Sequence, residues 1–241
     1  MNARSAFSSI LTTARNHGVR SAAYDVAIRT VNHCIYYRGM HYFAAETVDP
    51  RSFKLPQGFR FLRLSDQALI SFSKDPKYEL QPAFLQYVLQ KGDECYGIFD
   101  GDTLANYGWY SQRPTLIDTE DLFVNVGPRF VYMYKGFTLD RYRGLRLHAI
   151  SKTRSLAEFQ SRGFKGLISY VESNNFNSLK SSHRMGARPC GRIHMFRLMG
   201  KYVIRRDPAC EQYGITLTPN ASTLKTYEHI SPDCNSRPVS R

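Results

Sequence analysis

Residues 138–148 have the sequence TLDRYRGLRLH and join the end of a predicted strand to the start of a predicted helix. Backbone N–H groups at such a turn are unpaired, and with the helix dipole they form a site suited to an anion such as pyrophosphate. Gly144 lets the backbone bend and approach a ligand closely. Arg143 and Arg146 can add charge-assisted hydrogen bonds to phosphate. Taken alone, the stretch is explained equally well as an ordinary strand–helix turn with exposed arginines.

A second turn of the same kind follows the next predicted strand. Residues 171–178, with the sequence VESNNFNS, open another predicted helix, which Gly186 ends. Within this segment Ser178 lies three residues after Asn175, Ser182 lies seven after it and Gly186 eleven after it. Two turns with these spacings, separated by one helix, are more specific than either alone.

Together the two turns resemble the coenzyme-binding motifs of the GNAT superfamily of N-acetyltransferases. In that family a strand ends in the turn V-x-P-x-Y-R-G-x-G-x-G/A, which binds the pyrophosphate of coenzyme A. Residues 138–148 follow this order with Arg143-Gly144 intact. The family then has an Asn, a small residue three positions on, often a Tyr seven on, and Gly-Phe eleven on. Those positions are held here by Asn175, Ser178, Ser182 and Gly186-Ala187.

The resemblance covers about residues 58–200 and implies an α/β (α+β) fold. This is a GNAT-like mixed, mostly antiparallel twisted sheet flanked by helices, with a helical N-terminal extension. It also implies an acyl-CoA-dependent N-acyltransferase that moves an acetyl or similar group to a primary amine, without a metal. The layout resembles that of GNAT members encoded with cell-surface polysaccharide enzymes, so the expected acceptor is a cell-envelope sugar or a small molecule. Acetyl-CoA or another acyl-CoA would bind at Phe137, Thr138, Leu139, Arg143, Gly144, Leu145, Arg146, Leu147, His148, Asn175 and Ser178.

Two later glycines of the family's turn are replaced here, by Arg146 and His148. Backbone N–H groups of non-glycine residues can still point at phosphate, but their side chains would narrow or reshape the cradle. Arg146 would then either bind phosphate itself or obstruct it. Upstream of the turn, backbone N–H groups from Phe137 to Leu139 would polarise the thioester carbonyl.

The proton donor for the departing thiolate is also altered. The family's Tyr is Ser182 here, and a serine hydroxyl is too weak an acid to replace it simply. His183 is adjacent, but a neighbour on a helix points about 100° away. Either a water, Tyr170 or Tyr134 supplies the proton, or the protein does not catalyse transfer.

The attacking amine must lose a proton, so a carboxylate or a chain of waters has to act as base. Glu172, at the end of a predicted strand, is the first candidate, although a solvated charge is the simpler explanation of a strand-end Glu. Glu120 and Asp121, in a predicted loop, are the second candidates.

The charge of the chain leaves a second hypothesis open. Lys and Arg number 33 and Asp and Glu 20, which gives a net charge of +13. Either the protein is basic without a specific reason, or its partner is a nucleic acid, an acidic membrane face or a polyphosphate cofactor, and composition does not choose among these. No run of five basic residues occurs, which argues against nucleic acid. Five cysteines without a close pair argue against a disulfide scaffold or zinc site and fit a reducing cytoplasm. The alternative is therefore a non-catalytic GNAT-fold protein that binds an anionic partner or membrane surface.

The layout predicts three regions. Residues 1–57 form a helical N-terminal extension and linker, residues 58–206 the GNAT-like domain, and residues 207–241 a polar, largely disordered tail. Within the domain, Asp100-Gly101 predicts a strand hairpin, and Gly200 lies at the bend of a last strand pair.

Two helices are predicted in the N-terminal extension. The first covers Ser5–Asn16, Gly18 breaks it, and Ser21 can cap the second. The second carries an apolar stripe of Tyr24, Ala27, Ile28, Val31, Cys34 and Ile35. This stripe either packs on the domain or rests on an acidic membrane face, which would make the cytoplasmic protein peripheral at the inner face of the membrane.

Overall fold

The structure is a computed structural model that describes residues 3–117, 122–198 and 201–219. Its helices are α1 (Ala3–His17), α2 (Val19–Cys34), α3 (Asp66–Ser73), α4 (Pro82–Lys91), α5 (Leu147–Ser161) and α6 (Phe176–Arg184). Its strands are β1 (Tyr36–Ala45), β2 (Phe59–Arg63), β3 (Glu94–Asp100), β4 (Thr103–Ser111), β5 (Thr115–Leu116), β6 (Leu122–Asn125), β7 (Phe130–Thr138), β8 (Gly166–Glu172), β9 (Arg188–Leu198), β10 (Lys201–Arg206) and β11 (Thr216–Pro219).

The chain divides into two compact units. The central unit consists of the described residues within 45–169 and 213–219, and the flanking unit of those within 3–44 and 170–212. Strand β1, inside the predicted N-terminal extension, pairs antiparallel with β9, which joins the two segments of the flanking unit. The domain boundaries after residues 57 and 206 stay a prediction.

The central unit contains most of the predicted strands. Its main sheet has the order β8-β7-β4-β3-β2, in which β7 and β8 are parallel and the other neighbours antiparallel. Gly101, with φ 55°, closes the hairpin between β3 and β4 at the predicted position. Helix α5 packs on this sheet and buries Leu147, Ile150, Leu156 and Phe159 at helical spacing. The predicted fold class, a mixed and mostly antiparallel twisted sheet flanked by helices, is confirmed.

The flanking unit combines a helical hairpin with three antiparallel strands in the order β10-β9-β1. The hairpin turns at Gly18, whose φ of 86° and ψ of 162° suit only glycine. Ser21 does not cap α2 as expected, because its hydroxyl donates to the carbonyl of His17 at 2.9 Å instead. Helix α2 ends at Cys34, since the extended backbone of β1 begins two residues later. In the described residues no helix is both long and apolar enough to cross a membrane.

Regular structure is present in the first part of the region that was predicted to be a disordered tail. Residues Pro208–Tyr213 form a 3₁₀ turn, and β11 pairs antiparallel with β6 in a second sheet, β11-β6-β5. The alternation of buried Ile215 and Leu217 with Thr residues is a strand pattern that the polar composition of the region concealed. Gly200 and residues 220–241 lie outside the described part of the chain.

Glu94 in β3 is the centre of a charged cluster in the central unit. Its buried carboxylate accepts hydrogen bonds from Nη1 and Nη2 of Arg162, each at 2.8 Å, and Arg63 Nη1 lies 3.4 Å away. Burial alone would raise the pKa of Glu94, but the arginines outweigh it and lower that pKa below its ordinary 4.5. The ionised carboxylate therefore holds the end of α5 to the sheet.

Replacing Glu94 with Gln should lower the free energy of unfolding by about 1–3 kcal/mol, because charge-assisted hydrogen bonds are lost. A lowered folded-state pKa contributes stability above pH 4.5 that is lost as the pH falls, so the difference from wild type should shrink below that pH. Urea unfolding at several pH values measures both effects. Glu158→Gln, at an exposed position on α5, is the matched control and should change little. Equal costs for the two variants would contradict the role of Glu94.

Candidate active site

Strand β7 has unequal partners on its two sides. It pairs with β4 from Tyr132 to Thr138, but with β8 only from Phe130↔Gly166 to Tyr132↔Ile168. The ladder with β4 shifts register at Tyr134, which is the extra residue of a β-bulge. Within the central unit, the edge of β7 beyond Tyr132 therefore offers backbone groups that the ladder with β8 does not use, and these can bind a ligand.

Gly136 lies on this part of β7, opposite Gly108 of β4. A Cβ atom added at Gly136 would lie 2.7 Å from Cε1 and 3.0 Å from Nδ1 of His148, so the imidazole lies directly over the strand backbone. Burial, with the nearby Lys152 charge, lowers the pKa of His148 to about 4. The ring is therefore neutral at pH 7. The sequence placed His148 on the phosphate turn, whereas its side chain packs against β7.

The turn after β7 has the backbone geometry of an anion site. A 3₁₀ turn at Asp140–Tyr142 is followed by Gly144, with φ 90°, and Arg146, with φ 59°. Helix α5 begins at Leu147, because Arg146 has a left-handed backbone and acts as its N-cap. The first helical hydrogen bond runs from Ile150 N–H to the Arg146 carbonyl, so the N–H groups of residues 147–149 have no intrahelical acceptor. Such groups at a helix N-terminus attract anions.

The arginines of the turn have partners within the central unit. Arg143 forms an exposed ion pair with Asp140 at 2.9 Å, which contributes little stability. Arg146 Nη2 donates to Ser52 Oγ at 3.2 Å, and Ser52 is buried in a 3₁₀ turn at Pro50–Ser52. Sequence reasoning did not find Ser52, since it lies in a linker with no motif.

Asn106 of β4 holds the last residues of β7. Its Nδ2 donates to the carbonyl of Phe137 at 2.6 Å and to Thr138 Oγ1 at 2.9 Å. The N–H of Leu139 donates to the carbonyl of Ala105 at 3.0 Å. Leu139 therefore has its N–H engaged with β4. Because N–H groups alternate between the two sides of a strand, the N–H of Phe137, opposite Tyr107, faces β4 as well, and Thr138 is the best candidate of the three predicted to polarise the thioester.

The other predicted site residues belong to the flanking unit. Asn175 is the N-cap of α6, where its Oδ1 accepts from the N–H of Ser178 at 3.1 Å. Ser182, on the same helix, is buried. Glu172 is bound by Arg38, whose Nε lies 2.9 Å from Oε1, so this oxygen would have to leave the ion pair before accepting a proton. The assigned roles of these residues stay predictions.

Two tyrosines were predicted as alternative proton donors and two loop carboxylates as alternative bases. Tyr134 donates its hydroxyl hydrogen to Asp93 Oδ2 at 2.7 Å, and burial and that carboxylate raise its pKa well above 10, so it is a poor acid. Tyr170 packs against Tyr42 in the flanking unit. Glu120 and Asp121 lie outside the described residues.

No protein-family model matches the chain, and no curated protein matches it. Solved structures are similar to it. A GNAT-family acetyltransferase from Colwellia psychrerythraea is 15% identical, with a TM-score of 0.47, over 67% of this chain and 56% of that one. A GCN5-related N-acetyltransferase from Sphaerobacter thermophilus is 11% identical, with a TM-score of 0.47, over 77% and 57%. An aminoglycoside acetyltransferase from an uncultured soil metagenomic sample is 9% identical, with a TM-score of 0.39, over 55% and 90%.

The chain spans less than two thirds of the length of the Colwellia and Sphaerobacter chains. At these identities the similarity concerns the course of the backbone, and it assigns no role to any residue. The function has to be argued from the residues of the turn and of β7.

The contact between Gly136 and His148 can be tested by a double-mutant cycle. Gly136→Ala should lower the free energy of unfolding by about 1–3 kcal/mol, because the new methyl group overlaps the imidazole. In a His148→Ala background the same change should cost nothing or stabilise the strand, since Ala is favoured over Gly in strands. Thermal and urea unfolding of the wild type, the two single variants and the double variant give the coupling free energy between residues 136 and 148. The same cost in both backgrounds would show that the imidazole is not the obstacle.

Proposed function

We propose that this chain is an acyl-CoA-dependent N-acyltransferase that moves an acetyl or similar acyl group to a primary amine. The observation that supports this most directly is the turn from β7 to α5. Its two positive-φ residues, Gly144 and Arg146, precede a helix whose first N–H groups are unpaired within the helix. The sequence of this turn resembles the GNAT pyrophosphate motif. Arg146 replaces a glycine of that motif, and its backbone keeps the left-handed conformation that glycine favours.

The residues of the central unit suggest a division of labour. The N–H groups of Leu147 and His148, with the guanidinium groups of Arg143 and Arg146, would hold the pyrophosphate. The edge of β7 at Thr138 would hold the acyl arm, and its N–H would polarise the thioester carbonyl. His148 would cover Gly136 as a neutral ring, so it adds no charge to the developing oxyanion.

In the transfer itself, the amine nitrogen attacks the thioester carbon and the carbon–sulfur bond breaks. The amine proton passes to a base and the leaving thiolate gains a proton. We assign the base to Glu172 and the family's acid position to Ser182, with a water as proton carrier. Release of Glu172 from Arg38 would then be one requirement for activity.

For the acceptor we propose a primary amine on a cell-envelope sugar or a small molecule, with transfer in the cytoplasm. The support is the resemblance in layout to GNAT members associated with polysaccharide synthesis. The buried free thiols of Cys95 and Cys210 are compatible with a reducing compartment.

The intact chain should bind coenzyme A in calorimetry and should release free thiol from acetyl-CoA when a suitable primary amine is present. Gly144→Val should abolish coenzyme A binding, because its side chain would occupy the approach of the phosphates. Gly163→Val is a matched control. Both glycines have φ 90° and open space at the added Cβ, but Gly163 lies after the other end of α5.

The two valine variants should therefore lose similar stability, about 1–3 kcal/mol from backbone strain, and differ only in binding. Unchanged coenzyme A affinity in folded Gly144→Val would contradict the site. Binding without any thiol release over a broad panel of amines would instead point to a non-catalytic member of the fold.

Two substitutions at Arg146 separate phosphate binding from obstruction. Arg146→Ala should weaken coenzyme A binding by about 1.5–3 kcal/mol, the range for hydrogen bonds to charged groups. Arg146→Gly should weaken coenzyme A binding to a similar extent. It should also raise the melting temperature, because glycine adopts the left-handed conformation of this position without strain. Calorimetry and thermal unfolding measure the two effects. Tighter binding by the Gly variant would show that Arg146 blocks the cradle and is not a phosphate ligand.

A further inference from the structure

Positive charge is concentrated in the flanking unit. The sequence segments 1–44 and 170–212 hold 13 of the 33 Lys and Arg residues but only 4 of the 20 Asp and Glu residues. Their net charge is therefore +9 of the total of +13, in little more than a third of the chain. A net positive charge of this size attracts anionic surfaces.

The four acidic residues of the flanking unit are all engaged within it. Asp25 forms an ion pair with Arg29 at 2.7 Å, and Glu211 forms one with Arg206 at 3.0 Å. Glu172 is bound by Arg38, and Asp207 accepts a hydrogen bond from the N–H of Ala209. The exposed basic residues of the unit include Arg15, Arg20, Lys180, Arg184, Arg192, Lys201 and Arg205.

Helix α2 carries an apolar stripe on its outer face. Val19 is 77% exposed, Val26 38% and Val31 40%, and Ala23 and Ala27 between them are also exposed. These positions are spaced by 3, 4 or 7 residues along the helix, so they share one face. The stripe overlaps only in part with the one predicted from the sequence, whose Tyr24, Val31 and Ile35 are exposed as well.

The inner face of α2 carries a charge. Asp25 is buried there beside the apolar Ala22, and its partner Arg29, which is partly exposed, also donates to Ser9 Oγ of α1 at 3.2 Å. Asn174, after β8, approaches the Asp25 carboxylate at 3.4 Å. An ordinary surface helix turns its apolar stripe to the protein and its charges to water. In α2 a carboxylate is buried while three valines are exposed, so the exposed valines are available to a partner outside the chain.

Basic residues accompany the stripe. Arg20 is exposed one residue after Val19, and α1 adds exposed Leu11 and Arg15 at a spacing of four, before the turn at Gly18. Apolar side chains beside arginines are the composition that inserts into the headgroup region of an anionic bilayer. Each basic residue near such a surface contributes about 1 kcal/mol at low ionic strength.

We propose that the flanking unit docks on an anionic lipid surface through the outer face of α2. A nucleic acid would satisfy the charge but leave the valine stripe exposed to water. A second copy of the chain would cover the stripe but bring two surfaces of the same charge together. Lipid with acidic headgroups satisfies both features. This inference does not depend on the acyltransferase proposal, since it uses none of the residues of the turn or of β7.

Vesicle flotation of the full chain tests this proposal. The protein should float with vesicles of phosphatidylcholine and phosphatidylglycerol at low salt, fail to float with phosphatidylcholine alone, and be released by high salt, which screens the attraction. Val26→Glu should raise the lipid concentration needed for half-maximal binding about tenfold or more, because it places a carboxylate in the inserted face.

Val203→Glu is the matched control, since it makes the same change in the same unit at an exposed position of β10, outside the helical hairpin. It alters net charge equally and should reduce binding by only about threefold to fivefold, the effect of one charge. Circular dichroism and melting curves of both variants establish that they are folded.

Four outcomes would overturn the proposal. In the first the intact chain fails to float with anionic vesicles at low salt, and in the second both variants lose vesicle binding equally, which leaves net charge without a role for the stripe. A single-stranded oligonucleotide that binds the chain in the absence of any vesicle binding, with Val26→Glu equal to the control, would assign the charge to nucleic acid. A salt-stable dimer in light scattering that Val26→Glu dissociates, without any vesicle binding, would assign the stripe to a second copy.

Discussion

Strand β7 keeps its hydrogen bonds to β4 along most of its length but pairs with β8 over only three residues, and the candidate site depends on this inequality. The ladder with β8 stops at Tyr132 and leaves the following backbone of β7 to other partners, such as a ligand. The bulge at Tyr134 turns the backbone just after this point, and Asn106 fixes the far end of β7 through Phe137 and Thr138. Contacts from β4, with the imidazole of His148 over Gly136, hold this part of the strand in shape.

The turn that follows stores conformational strain at the place where a ligand would bind. A left-handed Arg146 costs about 1 kcal/mol or more, and it is retained because its guanidinium reaches Ser52 and its carbonyl starts α5. The turn is also anchored from the other side, where the hydroxyl of Tyr142 donates to Asp100 at 2.8 Å in the β3–β4 hairpin. The strained residue therefore lies between two fixed points, so the N–H groups of α5 are oriented before any ligand arrives.

Local signals in the sequence predicted much of this fold. The Asp100-Gly101 hairpin and the strand-to-helix turn at residues 138–148 were predicted where the structure has them, since turn chemistry is decided by neighbours in the chain. The bulge at Tyr134, the Arg146–Ser52 hydrogen bond and the contact of His148 with Gly136 could not be predicted in this way. The bulge depends on the register between two strands, and the other two contacts depend on packing between segments that are distant in the sequence. A glycine in mid-strand, as at Gly136, was the one available hint of close approach.

The division of the flanking unit between both ends of the chain has a consequence for biosynthesis. Every residue pair between β1 and β9 is separated by at least 144 residues, whereas residues 45–169 of the central unit are continuous in sequence. During synthesis from the N-terminus, β1 leaves the ribosome first and must wait for its partner strand while the central unit is still being made. Met40, Tyr42 and Phe43, which are buried in the finished protein, lack the strand β9 during that interval. Because closing a long loop costs entropy, we expect the flanking unit to assemble after the central unit.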